Sequence, residues 1–299
     1  MNQEIQPDRS GHLEVDEQQI WWEYFGKGDR EVVCLLNGLA MHTKAWYGFL
    51  PQLIDDYDVI LYDFLGQGES SKEDVPYFID ELARYLALIM DENGVDKIHP
   101  MGISYGGFIA LEFARLYPER LHTLVLSGIL ASREKLFDMY QDISLLFYRG
   151  DKAVFELYTH YMYEKIFSER FVKNISDDQL AAMRQRFYDR FVDYRYCLIR
   201  LTEAQDPFFE TIEERVAGYR EVTAPTLILA GAHDRAIPLW QQEKLADIFP
   251  NSRYELVPES GHVVYIERPD IFFPALKRFM AAKSVDFEMP TGEDAGPTR

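Results

Sequence analysis

Gly102-Ile103-Ser104-Tyr105-Gly106-Gly107 follows a short strand-like run, 97–101, and precedes an amphipathic segment, 108–117. Strand, then Gly-x-Ser-x-Gly, then helix is the setting of a nucleophile elbow. The turn is so tight that side chains two positions either side of the serine would collide, which accounts for Gly102 and Gly106. Such a turn holds the serine in a strained conformation with its hydroxyl aimed into a cleft. It also places Ser104 at a helix N-terminus, where backbone N–H groups lack intrahelical partners and can stabilise an oxyanion.

A serine hydroxyl is a weak nucleophile at neutral pH and needs a base, which in turn needs an orienting carboxylate. In a strand–turn–helix setting the expected chain order is serine, acid, histidine. Asp234, in Gly231-Ala232-His233-Asp234-Arg235, lies just past a strand over 225–230. His262, in Glu259-Ser260-Gly261-His262, lies just past a strand over 253–257. Catalytic groups of open α/β sheets gather at the carboxyl ends of strands, so Ser104, Asp234 and His262 can converge despite their separation. Glu259 and His233 are the nearest rivals, the first beyond a different strand and the second beside the acid. An oxyanion hole needs two aimed N–H groups. One is expected from the backbone of Tyr105, the other from Leu39 in the loop Asn37-Gly38-Leu39-Ala40-Met41, which follows a strand over 31–36. Asn37, Gly38, His42 and Trp46, on and beside that loop, are the substrate-binding candidates.

Around these residues the pattern is α/β. A hairpin over 11–24 and a turn at 26–29 lead into buried strands over 31–36 and 58–64. A helix over 43–54 lies between those two strands, a helix over 76–90 follows them, and a further strand covers 121–126. Alternating strands and helices imply a mostly parallel sheet flanked by helices. From about 131 to 222 no strand is convincing. Helices are expected over 132–148, 151–166, 177–203 (broken) and 207–219, dense in aromatics from Phe147 to Tyr196. A helical insertion between two sheet strands reads as a cap, most of its aromatics packing its own core and seam and a minority lining a pocket. The pattern resumes with the two later strands, a helix over 239–248 and a last helix over 269–282. The expected organisation is therefore a core over 11–130 and 223–283, a cap over 131–222, and loose termini over 1–10 and 284–299.

Composition narrows the function. Of 299 residues 47% are hydrophobic, enough for a large core, and the net charge of −19 disfavours nucleic acid or an anionic membrane surface as partner. The first thirty residues lack the apolar centre of a signal peptide and no run reaches the length of a membrane span. Cys34 and Cys197 read as reduced, buried thiols, and a cytoplasmic protein is expected. The histidines show no metal-ligand spacing, and the glycines of Asp63-Phe64-Leu65-Gly66-Gln67-Gly68-Glu69-Ser70 lack the lysine of a phosphate-binding loop. That loop reads as a structural turn under the site. No metal or cofactor is expected. A small-molecule substrate is, and monomer and homodimer both remain open.

Over about 11–283 the chain resembles the α/β-hydrolase superfamily. The matching pieces are the elbow at 102–106, the Asp-x-x-Gly-x-Gly-x-Ser stretch at 63–70, the Gly-x-x-Asp loop at 231–234 and the Gly-His pair at 261–262. The resemblance implies an α/β-hydrolase fold, a Ser104–His262–Asp234 triad and a helical cap. Many relatives read His-Gly where this chain has Asn37-Gly38. A serine at the elbow sets the chain apart from the dehalogenase and epoxide-hydrolase branches, which carry Asp there. The Asn-Gly-x-x-Met loop followed by Trp46 is also similar to bacterial acyltransferases that join 3-hydroxyacyl chains taken from acyl carrier protein. Three functions follow as expectations: hydrolysis of a carboxylic ester or thioester through an acyl-enzyme, transfer of the same acyl group to a hydroxyacyl acceptor, and ligand reception without turnover.

Overall fold

The computed structural model describes residues 5–291. One sheet of eight strands organises it, in the order β1-β2-β4-β3-β5-β6-β7-β8. The hairpin β1 (Arg9–Val15) and β2 (Gln18–Phe25) joins antiparallel to β4 (Asp58–Tyr62). The remaining neighbours are parallel: β4 with β3 (Val32–Leu36), β3 with β5 (Ile98–Ile103), then β6 (Leu124–Ser127), β7 (Thr226–Gly231) and β8 (Ser252–Val257). β3 to β7 are buried at every position, as expected of parallel strands covered on both faces. Side chains alternate between two cores. Cys34, Leu36, Ile60 and Tyr62 face α1 (Ile79–Glu92) and α2 (Tyr105–Leu116), whereas Val33, Leu35, Val59 and Leu61 face the last helix of the chain.

Between β6 and β7 run α3 (Lys135–Arg149), α4 (Lys152–Ile166), α5 (Glu169–Asn174), α6 (Asp177–Phe191), α7 (Arg195–Glu203), α8 (Gln205–Glu210) and α9 (Ile212–Tyr219). Helices α10 (Leu239–Ile248), α11 (Val264–Glu267) and α12 (Pro269–Ala282) complete the fold. α3, α4, α6 and α7 share a small, mostly aromatic core that includes Tyr148, Phe155, Tyr158, Phe187, Phe191 and Leu198. α8 and α9 instead put Phe208, Phe209, Ile212 and Tyr219 into the sheet-side core against α2. Tyr219 Oη there donates to Glu112 at 2.5 Å. Phe137 of α3 and Leu201 of α7 reach the same core, so the insertion and the sheet share one packed seam.

Some expectations need correction. In place of a helix over 43–54 there are two short 3₁₀ turns, Thr43–Trp46 and Leu50–Gln52. Pro51 lacks an N–H and crowds the carbonyl four residues back, which disfavours a continuous α-helix through it. The termini are tied down further than their composition suggests. Arg9 and Ser10 pair with β2, and Ile5 packs on the core. Arg253 donates to the carbonyls of Val285 (3.1 Å) and Phe287 (2.5 Å), while Phe287 and Met289 rest on the same core. Residues 1–4 and 292–299, also expected to be loose, lie outside the described residues. Among the described residues no helix is long and apolar enough to cross a membrane.

Candidate active site

Ser104 stands between β5 and α2 with φ 48° and ψ −123°, a conformation that L-residues rarely adopt. Its amide donates to the carbonyl of Ser127 at 2.9 Å, so pairing with β6 holds the chain up to Ser104 itself. A Cβ on Gly102 would lie 2.5 Å from the Gly106 carbonyl oxygen and 2.7 Å from Gly107 Cα. One on Gly106 would lie 2.5 Å from the carbonyl oxygens of Leu36 and Asn37. The two glycines are thus required by different obstacles, the start of α2 and the end of β3. Because both obstacles are backbone, Gly106→Ala is expected to cost about 3 kcal/mol or more of unfolding free energy in urea titrations. Gly48→Ala, whose Cβ meets nothing within 4 Å, is the control and is expected to change it by less than about 0.5–1 kcal/mol.

His262 follows β8. Its amide donates to the Ile166 carbonyl at the end of α4 (2.8 Å), and its Nδ1–H donates to Asp234 Oδ2 at 2.9 Å. That bond fixes the tautomer and leaves Nε2 free to accept a proton. Asp234 follows β7, and each of its oxygens is occupied. Oδ1 accepts from the amides of Ala236 (2.8 Å) and Ile237 (3.0 Å), and Oδ2 accepts from Gln242 Nε2 (2.9 Å) besides the imidazole. Gln242, buried on α10, also accepts from the Gly128 amide at 3.2 Å. Gly128 (φ 65°) lets the ring lie close, since a Cβ there would be 2.7 Å from His262 Cε1. Burial pulls the His262 pKa down, but the charge and hydrogen bond of Asp234 outweigh it and leave the imidazole more basic than usual.

The loop after β3 turns back on itself at Gly38, where the Met41 amide donates to the Gly38 carbonyl at 3.2 Å and Ala40 takes φ 63°. A Cβ on Gly38 would sit 3.7 Å from Ser104 Cβ, so the glycine brings this turn against Ser104. The backbone N–H groups of Leu39 and Tyr105 have no protein acceptor among the described residues. Both residues line the same cavity as Ser104 and His262.

Of the four substrate-binding candidates only Gly38 lines that cavity. Asn37 and Trp46 are fully buried behind the loop, joined by a 2.8 Å bond from Trp46 Nε1 to Asn37 Oδ1. Asn37 Nδ2 donates in turn to the Tyr62 carbonyl at 3.1 Å. Asp63 completes the brace, accepting from the amides of Thr43 (2.7 Å) and Glu69 (2.9 Å). His42 is half-buried beside the loop, outside the cavity lining. Burial, helped by Arg190 and Lys44, pulls its pKa down to about 4, so the ring is neutral at pH 7.

The cavity measures about 230 Å³. Its upper wall comes from the helical insertion, notably Gln141 and Ser144 of α3, Tyr158 and Met162 of α4, and Thr202 of α7. Glu267 clamps this insertion to the histidine loop. Its buried carboxylate accepts from the amides of Gly261 (3.1 Å) and Ser168 (3.2 Å) and from the Ser168 hydroxyl. Neither Glu267, Gln242 nor the α3 stripe is singled out by sequence reasoning. The α3 residues do recur at helical spacing, but which face meets the cavity depends on how the insertion docks. At the opposite end of the strands, Glu31 lies 3.2 Å from His99 Nε2 and 3.8 Å from His122 Nε2. The Lys283 ammonium already bonds the same carboxylate, and His99 Nδ1 meets Thr123 Oγ1 at 2.8 Å, so the group forms a self-contained hydrogen-bonded cluster.

Residues 31–269 match a family model described as the alpha/beta hydrolase fold. The RutD protein of Pseudomonas savastanoi pv. phaseolicola, whose name proposes carbamate hydrolysis, is 28% identical over 262 residues, 86% of this chain and 96% of that protein. The 2-hydroxy-6-oxononadienedioate/2-hydroxy-6-oxononatrienedioate hydrolase of Escherichia coli K12 is 29% identical over 265 residues, 86% of this chain and 88% of that one. Among solved structures MGS-M2, an alpha/beta hydrolase enzyme from a Medee basin deep-sea metagenome library, superposes with a TM-score of 0.83 at 24% identity, covering 93% of this chain and all of that one.

Proposed function

The chain belongs to the alpha/beta hydrolase family, and from that premise we propose that it is a serine hydrolase that cleaves a carboxylic ester or thioester through an acyl-enzyme on Ser104. The observation carrying this reading is the Asp234–His262 pair, bonded at 2.9 Å, opening onto the cavity that the strained Ser104 also lines. Relatives bear names that differ in the bond attacked, carbamate in one and an unsaturated dioate in another. Nucleophile, base, acid and N–H donors together support attack on an acyl carbonyl, and of such carbonyls we propose an ester or thioester.

In this mechanism Ser104 Oγ attacks the carbonyl carbon while His262 Nε2 takes its proton. The carbonyl oxygen becomes an oxyanion received by the N–H groups of Leu39 and Tyr105. The bond to the alcohol or thiol breaks as His262 returns the proton to that leaving group. Water, deprotonated by the same nitrogen, then attacks the acyl carbon, and the acid departs with Ser104 restored. Asp234 holds the ring and stabilises the imidazolium without taking the proton. The insertion acts as a cap whose wall decides which acyl groups enter.

The base must be neutral to act, and its pKa lies above the ordinary 6.5. The kcat/KM for an uncharged p-nitrophenyl ester is therefore expected to be low in acid and to rise to a plateau, with a midpoint above pH 6.5. A flat profile, or a midpoint well below that value, counts against His262 as base. Product analysis with a hydroxyacyl acceptor present separates hydrolysis from transfer. Free acid as sole product is expected, and a new ester would move the assignment to acyl transfer.

A further inference from the structure

Three buried side-chain polar atoms without a partner among the described residues belong to residues lining the catalytic cavity: Gln141 Nε2, Thr202 Oγ1 and Tyr105 Oη. Gln141 is 7% exposed and Thr202 3%. Their polar neighbours on the same wall are satisfied internally. Ser144 Oγ donates to the Tyr140 carbonyl at 3.0 Å, and Tyr148 Oη donates to Tyr158 Oη at 2.6 Å. Gln141 on α3 and Thr202 on α7 stand on helices that pack together. Among the described residues no Lys, Arg, Asp or Glu lines the cavity.

A buried polar atom left unpaired destabilises the protein, and a site built around such atoms favours a ligand that supplies the missing bond. A charged ligand group would be stranded in this cavity, which offers no counter-charge but His262. The acyl group stays on the enzyme through both half-reactions, so contacts to it serve both. We propose that Gln141 and Thr202 form a recognition subsite for a neutral oxygen function, a carbonyl or hydroxyl, borne by the acyl chain at a distance from the scissile carbonyl. The side-chain amide donates to that oxygen, and the threonine hydroxyl donates to it or accepts from it. The substrate class is thus a neutral oxo- or hydroxyacyl ester, in place of a plain fatty ester or a dioic half-ester. This rests on the ester-hydrolase reading and adds the substrate to it.

The test compares p-nitrophenyl octanoate with isomers carrying one keto group at successive carbons beyond the β-carbon, and with the half-ester of octanedioic acid. At least one keto isomer is expected to exceed plain octanoate in kcat/KM by roughly tenfold or more, with the half-ester poorest. Thr202→Val and Gln141→Leu, both close in shape to the native residues, are expected to remove that advantage, so that the keto isomer and octanoate are cleaved with similar kcat/KM. Keto isomers all equal to or poorer than octanoate, or a preference for the half-ester, overturn the proposal. An advantage that survives both substitutions overturns it too. The same esters added to Ser104→Ala read the subsite without turnover. The favoured keto isomer is expected to raise Tm more than octanoate does, and equal shifts contradict the proposal. If no ester turns over but the keto isomer still raises Tm selectively, the subsite stands and the hydrolase reading fails.

Discussion

Ser104→Ala is expected to lower kcat for a short-chain p-nitrophenyl ester by a factor on the order of 10⁴–10⁶. The loss is large because nucleophile, base and acid act as a unit, so removing one leaves the others nothing to do. What survives comes from binding and from the N–H groups of Leu39 and Tyr105, which the substitution leaves in place. KM is expected to change little, since the hydroxyl adds little to ground-state binding. The fold is expected to survive, because the elbow is set by Gly102, Gly106 and the Ser104 amide bond to Ser127, none of which needs the hydroxyl. A variant that keeps more than a few per cent of the wild-type rate with an unchanged Tm would remove Ser104 from the chemistry.

Asp234→Asn is expected to cost nearly as much, about 10⁴ in kcat. Its carboxylate accepts four hydrogen bonds, from the amides of Ala236 and Ile237, from Gln242 and from the His262 ring. A carboxamide has an NH₂ group that must face donors on whichever side it is placed. Either the backbone N–H pair or the imidazole loses its acceptor, and the imidazole is then no longer held in the tautomer that frees Nε2. The pH profile is expected to move too. With the carboxylate gone, burial is opposed only by the smaller effect of the Glu267 charge, so the midpoint of the residual activity is expected to fall below that of the wild type. A variant with lost activity but an unmoved midpoint would show that Asp234 does not set the basicity of His262.

The parts of this site that could be read from the sequence are those fixed by local sterics and chain order. A glycine where a Cβ would strike a backbone carbonyl, an aspartate one turn past a strand and a histidine past the next all leave marks in the chain itself. Two of the three candidates that fail to reach the cavity, Asn37 and Trp46, sit on or beside a loop, where the side facing the substrate is not encoded by any period. They face the sheet and bond to each other. Gln242 is indistinguishable in sequence from Gln241 beside it, and only the docking of α10 makes it the partner of Asp234. The cavity wall depends on how α3, α4 and α7 lie over the sheet, a long-range arrangement that the aromatic density of the insertion signals without locating. The absence of the helix expected over 43–54 is of another kind, because its cause, Pro51, is itself visible in the sequence.

A covalent acyl group on Ser104 can be weighed by mass spectrometry when the ester is a slow one. With p-nitrophenyl trimethylacetate, a hindered ester whose acyl-enzyme hydrolyses slowly, wild-type protein quenched in acid is expected to gain one trimethylacetyl mass. Digestion is expected to place it on the peptide containing Ser104, and Ser104→Ala is expected to gain none. An ester consumed at the wild-type rate with no adduct, or an adduct that persists in Ser104→Ala, would contradict the mechanism.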